Sequence, residues 1–344
     1  MQILSKTTIA RLALPLAVGP VVFPNRVFLA PMSGISDRPF RAIAARFGAG
    51  AVVSEMVASE LLATGETQAR LKVERAGGGP HVVQLAGREA RWMAAGARAA
   101  ADAGADVIDI NMGCPARKVT GGYSGSALMR DLDYALSLIE ATVSATSRPV
   151  TLKMRLGWDG ENRNADALAR GAEAAGVRLI TVHGRTRCQF YAGTADWAAI
   201  RTVKQAVTIP VIANGDLVEA GDLDRMLRLS GADGVMLGRG ARGCPWLPGL
   251  LASYASDCGQ PPTAPAGAAL VDLVSGHYEA MLDHYGVAVG VRAARKHLGW
   301  YLDRLDPPPA RALRQAVLTA SEPRTVMRLI RAAFADNRGA RRAA

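Results

Sequence analysis

The residues with the plainest chemical capacity lie in Val107-Ile-Asp-Ile-Asn-Met-Gly-Cys-Pro115, an apolar run that opens into a glycine turn carrying a cysteine. Cys114 in that turn has three roles open to it: proton donor, nucleophile or redox thiol, and small buried hydrophobe. A nucleophilic or redox thiol calls for a thiolate-stabilising pair or a resolving cysteine, and neither is evident. The four cysteines, Cys114, Cys188, Cys244 and Cys258, stand far apart with no C-x-x-C or Cys/His metal spacing. No metal and no disulfide framework is expected. A free thiol titrates near about 8.5, so at neutral pH it holds a proton that a positioned reaction can take.

Seven further apolar runs end in polar or special residues. Ala30-Pro31-Met32 closes the first run, Glu55 follows the second, and Gln84 lies in the third. Later runs carry Lys153 with Arg155, His183 with Arg185, Asn214-Gly215-Asp216, and Gly238-Arg239. Taken singly, each has an ordinary structural use: Asn214-Gly215 is a turn dipeptide, Gln84 a partner for backbone groups, Lys153 a paired charge, His183 a packed ring. Eight such ends in register are harder to explain that way. Gly215, Gly238 and Gly240 let backbone N–H groups approach a phosphate, and Arg239 adds charge. Gln84 both donates and accepts, which suits the edge of a flavin pyrimidine, and Lys153 suits the negative charge near N1 of a reduced flavin. The set describes FMN. No G-x-G-x-x-G follows a strand, so a built-in nicotinamide or FAD domain is not supported.

These residues need a scaffold that brings eight loops to one face. The apolar runs, at 27–30, 51–54, 81–85, 107–110, 150–154, 179–182, 210–213 and 234–237, alternate with stretches of helical periodicity at 37–47, 89–103, 132–145, 164–175 and 219–230. Eight strand–helix units in about 240 residues predict an α/β fold, a (β/α)8 TIM barrel, with an open doubly wound sheet as the other arrangement. The pattern stops at a Pro/Gly-rich stretch, 259–267. Amphipathic spacing resumes at 273–285, 289–305, 310–318 and 323–334, before an Arg-rich end. The expected division is a catalytic barrel at 1–255, a linker at 256–269 and a small all-α bundle at 270–344.

Net charge is +11 in 344 residues, 49% of them hydrophobic. The charge favours a polyanionic partner such as nucleic acid. Residues 270–344 hold 12 Arg and Lys against 7 Asp and Glu, about three times the basic excess per residue of the rest. Arg292, Arg295, Lys296 and His297 cluster within six residues, and Arg324, Arg328 and Arg331 repeat along one helical face. Each cluster also reads as a solvated helix face. No run of 18 apolar residues and no signal-peptide pattern over residues 1–10 occurs, so a cytoplasmic protein without a membrane partner is expected, acting as a monomer.

The motifs Ala30-Pro-Met-Ser-Gly-Ile-Ser-Asp37, Asn111-Met-Gly-Cys-Pro115, Lys153-Met-Arg155, His183-Gly-Arg185, Asn214-Gly-Asp216 and Gly238-Arg239 together resemble the tRNA-dihydrouridine synthases. Residues 291–301 resemble that family's bacterial helical domain. The resemblance implies an FMN-binding barrel followed by a helical tRNA-binding domain, with NADPH as electron donor. It implies that Ala30, Pro31 and Met32 contact FMN, that Gln84 and Lys153 bind its ring system, and that Asn214, Gly215, Asp216, Gly238 and Arg239 hold its phosphate end. Cys114 is then the catalytic acid and His183 a further residue near flavin and base. Reducing the 5,6 double bond of uracil needs hydride at C6 and a proton at C5, and an acid on the face away from the flavin fits Cys114. Asn111 and Arg155 are candidate donors to the uracil carbonyls, and Arg292, Arg295 and Lys296 candidate RNA contacts. Two other readings stand beside this one. An FMN enzyme acting on a free pyrimidine, dihydroorotate dehydrogenase-like, leaves the basic tail without a use, and a binding protein on a degenerate barrel leaves Cys114 and Lys153 without one.

Overall fold

The computed structural model describes residues 9–256 and 263–335. The first eight residues, residues 257–262 of the expected linker with Cys258 among them, and the Arg-rich end lie outside the described residues.

The eight apolar runs form the strands β1 (Val27–Leu29), β2 (Ala51–Val53), β3 (His81–Ala86), β4 (Val107–Met112), β5 (Val150–Arg155), β6 (Ile180–His183), β7 (Val211–Asn214) and β8 (Gly234–Leu237). All pair in parallel with their neighbours, β8 with β1 and β2 with β3, so the sheet closes into a barrel. Both faces of every strand are covered, which is why these runs are almost wholly apolar until their carboxyl ends. The connecting helices are α1 (Arg38–Arg46), α2 (Ala90–Asp102), α3 (Leu132–Ser144), α4 (Ala165–Ala174), α5 (Trp197–Ala206) and α6 (Asp222–Ser230), with α7 (Leu247–Ser256) after β8. Local chemistry sets their ends. Asp37, Asp131 and Asp196 accept from backbone N–H groups at the starts of α1, α3 and α5, and Gly231 ends α6 at φ +65°.

A short hairpin, Leu16–Val18 with Val21–Phe23, precedes the barrel and was not expected. Its Leu16, Val18 and Phe23 pack with Phe28, Val53, Val82, Val107, Leu179, Ile212 and Met236 at the amino-terminal end of the barrel. A void of about 20 Å³ is left there.

Four helices follow: α8 (Gly267–Tyr285), α9 (Val287–Leu302), α10 (Arg311–Thr319) and α11 (Pro323–Phe334). The first begins earlier than the periodicity predicts, inside the stretch read as linker. Tyr278, Met281, Leu298, Tyr301, Ile330 and Phe334 make their shared core, which also takes in Ile43 of α1 and Cys244 and Trp246 after β8. The helices are thus seated on one flank of the barrel. His297, grouped with the basic residues by sequence proximity, belongs to this core instead: it is buried against Phe40, His277 and Trp300. Burial holds its pKa well below the ordinary value, so it carries no charge at neutral pH. Arg295 is half-buried, and its Nη2 donates to Thr319 O at 3.2 Å. Arg292, Lys296, Arg324, Arg328 and Arg331 are exposed.

Candidate active site

A cavity of about 860 Å³ opens at the carboxyl end of the barrel. Its wall includes every expected cofactor residue, namely Ala30, Pro31, Met32, Gln84, Lys153, His183, Asn214, Gly215, Asp216, Gly238 and Arg239, together with Asn111, Cys114 and Arg155. Strand register brings them together. Asn111 on β4 is the Cα partner of Lys153 on β5, Arg155 is the partner of His183 on β6, and His183 of Asn214 on β7.

One side of the cavity is a chain of hydrogen bonds that starts inside the barrel. Thr151 Oγ1 and Gln84 Nε2 donate to the two oxygens of Asp109, at 2.6 and 2.7 Å, and Asn111 Nδ2 donates to Gln84 Oε1 at 2.8 Å. Burial raises the pKa of the Asp109 carboxyl, against the lowering effect of these two donors. Gln84 is thereby fixed in orientation, with one N–H and one lone pair left over. Asn111 Oδ1 in turn accepts from Gly113 N and Cys114 N, at 3.3 and 3.0 Å, so the turn that presents the thiol is tied to the strand below it. Cys114 O accepts from Ser126 N and Oγ, which pins the far side of the same loop. Arg155 is buried and donates to the carbonyls of Gly113, Thr186 and Phe190, joining three cavity loops.

The other side is cationic. Lys153 Nζ donates to Asn214 Oδ1 at 3.1 Å, and burial lowers its pKa to about 8. His183 is pushed down to about 2, by burial first and then by Lys153, Arg155, Arg185 and Arg239, so its imidazole is neutral. Asp216 takes the Arg185 guanidinium on both oxygens, at 2.8 and 2.6 Å, and Arg239 Nη2 at 3.4 Å. Its carboxylate is therefore an anchor for arginines. Gly215 has φ +119°, and a Cβ there would lie 2.7 Å from Ala195 Cβ and 2.9 Å from His183 Cδ2. A Cβ on Gly240 would lie 2.5 Å from Leu217 O. Only glycine fits these two positions, both packed close against neighbouring chain where they line the end of the cavity beside Arg239.

Sequence reasoning missed several residues of this site. Asp109 and Thr151 look like ordinary strand positions, although a carboxylate amid Val107, Ile108 and Ile110 is a signal of a buried polar partner. Tyr191, Arg242 and Arg304 also line the cavity and sit in segments without a recognisable motif.

The dihydrouridine synthase family, described as "Dihydrouridine synthase (Dus)", matches residues 28–338. The chain belongs to the dihydrouridine synthase family. A relative from Rhizobium leguminosarum bv. phaseoli named probable tRNA-dihydrouridine synthase is 57% identical over 302 residues, 88% of this chain and 93% of its own. One from Rhodobacter capsulatus with the same name is 54% identical, covering 91% and 96%. Among solved structures, morphinone reductase in complex with tetrahydroNAD superposes with a TM-score of 0.52 at 18% identity, covering 75% of this dihydrouridine synthase family member and 93% of the reductase. That likeness is one of fold. Among the described residues no helix is long and apolar enough to cross a membrane, and no group of three or more His, Cys, Asp or Glu could hold a metal ion.

Proposed function

We propose that this chain is a tRNA-dihydrouridine synthase, in which FMN reduced by NADPH reduces the uracil 5,6 double bond of a uridine in tRNA and Cys114 supplies the proton at C5. The observation that carries this reading is the pairing, in one cavity, of a thiol whose turn is fixed by Asn111 with a glycine-lined, arginine-flanked end, which suits a phosphate. The residues present fit FMN: Gly215 and Gly240 line the cavity beside Arg239 where no side chain fits, Gln84 offers one donor and one acceptor, and Lys153 brings a buried cation. The chemistry FMN supplies there is hydride delivery to uracil C6. The chain's own residues do the rest. Lys153 offers positive charge where electron density gathers, and Asn214 holds it in place. Asn111 fixes the turn from which Cys114 releases its proton, and neutral His183 offers a hydrogen-bonding ring without competing as a cation.

The reading takes residues 1–255 as the FMN-binding catalytic unit, 256–269 as linker and 270–344 as the tRNA-binding unit of a cytoplasmic monomer. RNA is gripped through phosphates by the exposed basic residues of α9 and α11. The test is dihydrouridine content in unmodified tRNA after incubation with the yellow protein and NADPH, beside Cys114→Ala, free uridine and orotate. Dihydrouridine in tRNA alone supports the proposal. Turnover of the free base with tRNA untouched would move the enzyme to the small-molecule class.

A further inference from the structure

Arg242 is not accounted for by the cofactor end of the cavity. It lies in the loop after β8 and lines the cavity, with its guanidinium carbon 5.0 Å from the centre of the Trp300 ring on α9. Its Nε is buried and has no hydrogen-bond partner, and no Asp or Glu among the described residues pairs with it. Asp216, the carboxylate beside Arg239, is already committed to Arg185 and Arg239. Burial and the neighbouring Arg239 both disfavour the Arg242 charge. A half-buried guanidinium held against a second cation without a counter-ion is costly, and it is the arrangement expected of a receptor whose anion comes from outside.

The surroundings say which side the anion comes from. Arg304, just past the end of α9, donates from Nε to Arg242 O at 2.8 Å and from Nη2 to Gly240 O at 2.9 Å. The backbone at Gly243 passes against Trp300 O so closely that no Cβ fits. The loop bearing Arg242 is therefore braced by α9. Arg292, Lys296, Trp300 and Arg304 follow one another at intervals of four, the spacing of neighbours on a helix flank. Lys296 Nζ reaches the loop after β1, 3.6 Å from where a Cβ on Gly34 would stand. This flank runs along the rim of the cavity, from the exposed basic face of α9 to Arg242.

The geometry points to a second anion site, next to the glycine-lined cofactor end, in which Arg242 stacked on Trp300 receives a backbone phosphodiester of the RNA beside the uridine being reduced. The inference rests on the tRNA reading above. A stacked guanidinium keeps its fork pointed outward, matching two oxygens of one phosphate, and the indole beneath it limits the freedom lost on binding. Arg304 acts through the loop, as a positioning residue.

The test is binding and single-turnover reduction of unmodified tRNA by the FMN-loaded full chain, with Arg242→Gln and Arg242→Lys compared at several salt concentrations. Arg242→Gln is expected to weaken tRNA binding about 10-fold and to lower the slope of log affinity against log salt by about one. Arg242→Lys, which keeps the charge and loses the fork, restores the slope and recovers affinity only in part. Unchanged affinity and slope in Arg242→Gln, with the native chain binding and reducing tRNA normally, would overturn this inference and leave the proposed function standing. A rise in the FMN dissociation constant or in the NADPH KM, with tRNA affinity kept, would assign the anion to the cofactor or the dinucleotide and overturn it as well. A native chain that does not bind tRNA would overturn both.

Discussion

Lys153 Nζ lies 3.1 Å from Asn214 Oδ1 and so joins β5 to β7 over the intervening β6. Asn214 Nδ2 donates onward to Met236 O on β8 at 2.8 Å, which leaves its oxygen turned to the ammonium group. Three strands therefore fix the position of one positive charge, while burial lowers its pKa to about 8. The charge is present below pH 8 and is lost as pH rises through that value. The rate of flavin reduction by NADPH is expected to fall above pH 8. Lys153→Met should lower that rate about 100-fold or more and abolish the alkaline limb. Stopped-flow reduction between pH 6.5 and 9.5 measures it, and a flat profile in the native chain counts against the assignment.

Cys114 and Asn111 should separate chemistry from positioning. Cys114→Ala is expected to slow reduction of tRNA by flavin-reduced enzyme about 10²–10⁴-fold while leaving flavin reduction by NADPH in place. Asn111→Ala removes the acceptor of Gly113 N and Cys114 N, so the thiol remains but its turn is released. A loss of about 10-fold to 100-fold is expected there. Single-turnover assays give both numbers, and a Cys114→Ala enzyme as fast as the native one would remove the proton-donor role.

Gly215→Ala tests the glycine-lined end. The substitution combines φ +119° with a Cβ 2.7 Å from Ala195 Cβ, so the loop must shift. FMN affinity is expected to drop at least about 10-fold. Fluorescence titration of the stripped protein reads it directly, with thermal unfolding as the check on folding.

All five histidines of the chain have lowered pKa values, chiefly from burial: His81 at about 4, His183 at about 2, His277 at about 3, and His284 and His297 in the same direction. An unfolded histidine titrates near about 6.5, so between that pH and the folded values the unfolded chain binds more protons. Stability contributed by the neutral buried rings is whole above pH 6.5 and is lost as pH falls. Asp37, raised to about 6 chiefly by burial, and Asp109, raised in the same direction, work the other way, but they are two groups against five. Net loss of stability by several kcal/mol between pH 7 and pH 5 is expected. Urea unfolding at each pH measures it, and a midpoint independent of pH over this range would contradict the account.

The strand ends were legible in the sequence because a parallel strand buried on both faces tolerates polar residues mainly where it opens into the site, as Asn111, Lys153 and His183 do. Partners were not legible, since they depend on register and closure. Nothing in the spacing of Asp109 and Gln84 says that one carboxylate orients the other residue's amide. The hairpin before β1 did leave a signal, Gly19-Pro20 between two apolar runs, with Gly19 at φ +59°. Counting charges along α9 failed for a different reason. The helix is packed on more than one side, so neighbours in sequence point to different surroundings: Lys296 to the rim, Arg295 to the end of α10, His297 to the core.

The hairpin stoppers the amino-terminal end of the barrel with Leu16, Val18 and Phe23, and the cavity opens at the opposite end. On the proposed function, reductant and RNA approach from this one end and are expected to be visitors in succession, each leaving before the other enters. The turnover kinetics that follow are of the double-displacement kind, with parallel lines when reciprocal rate is plotted against reciprocal NADPH at several tRNA concentrations. Intersecting lines would mean that both are bound at once and that the doorway is wider than the barrel.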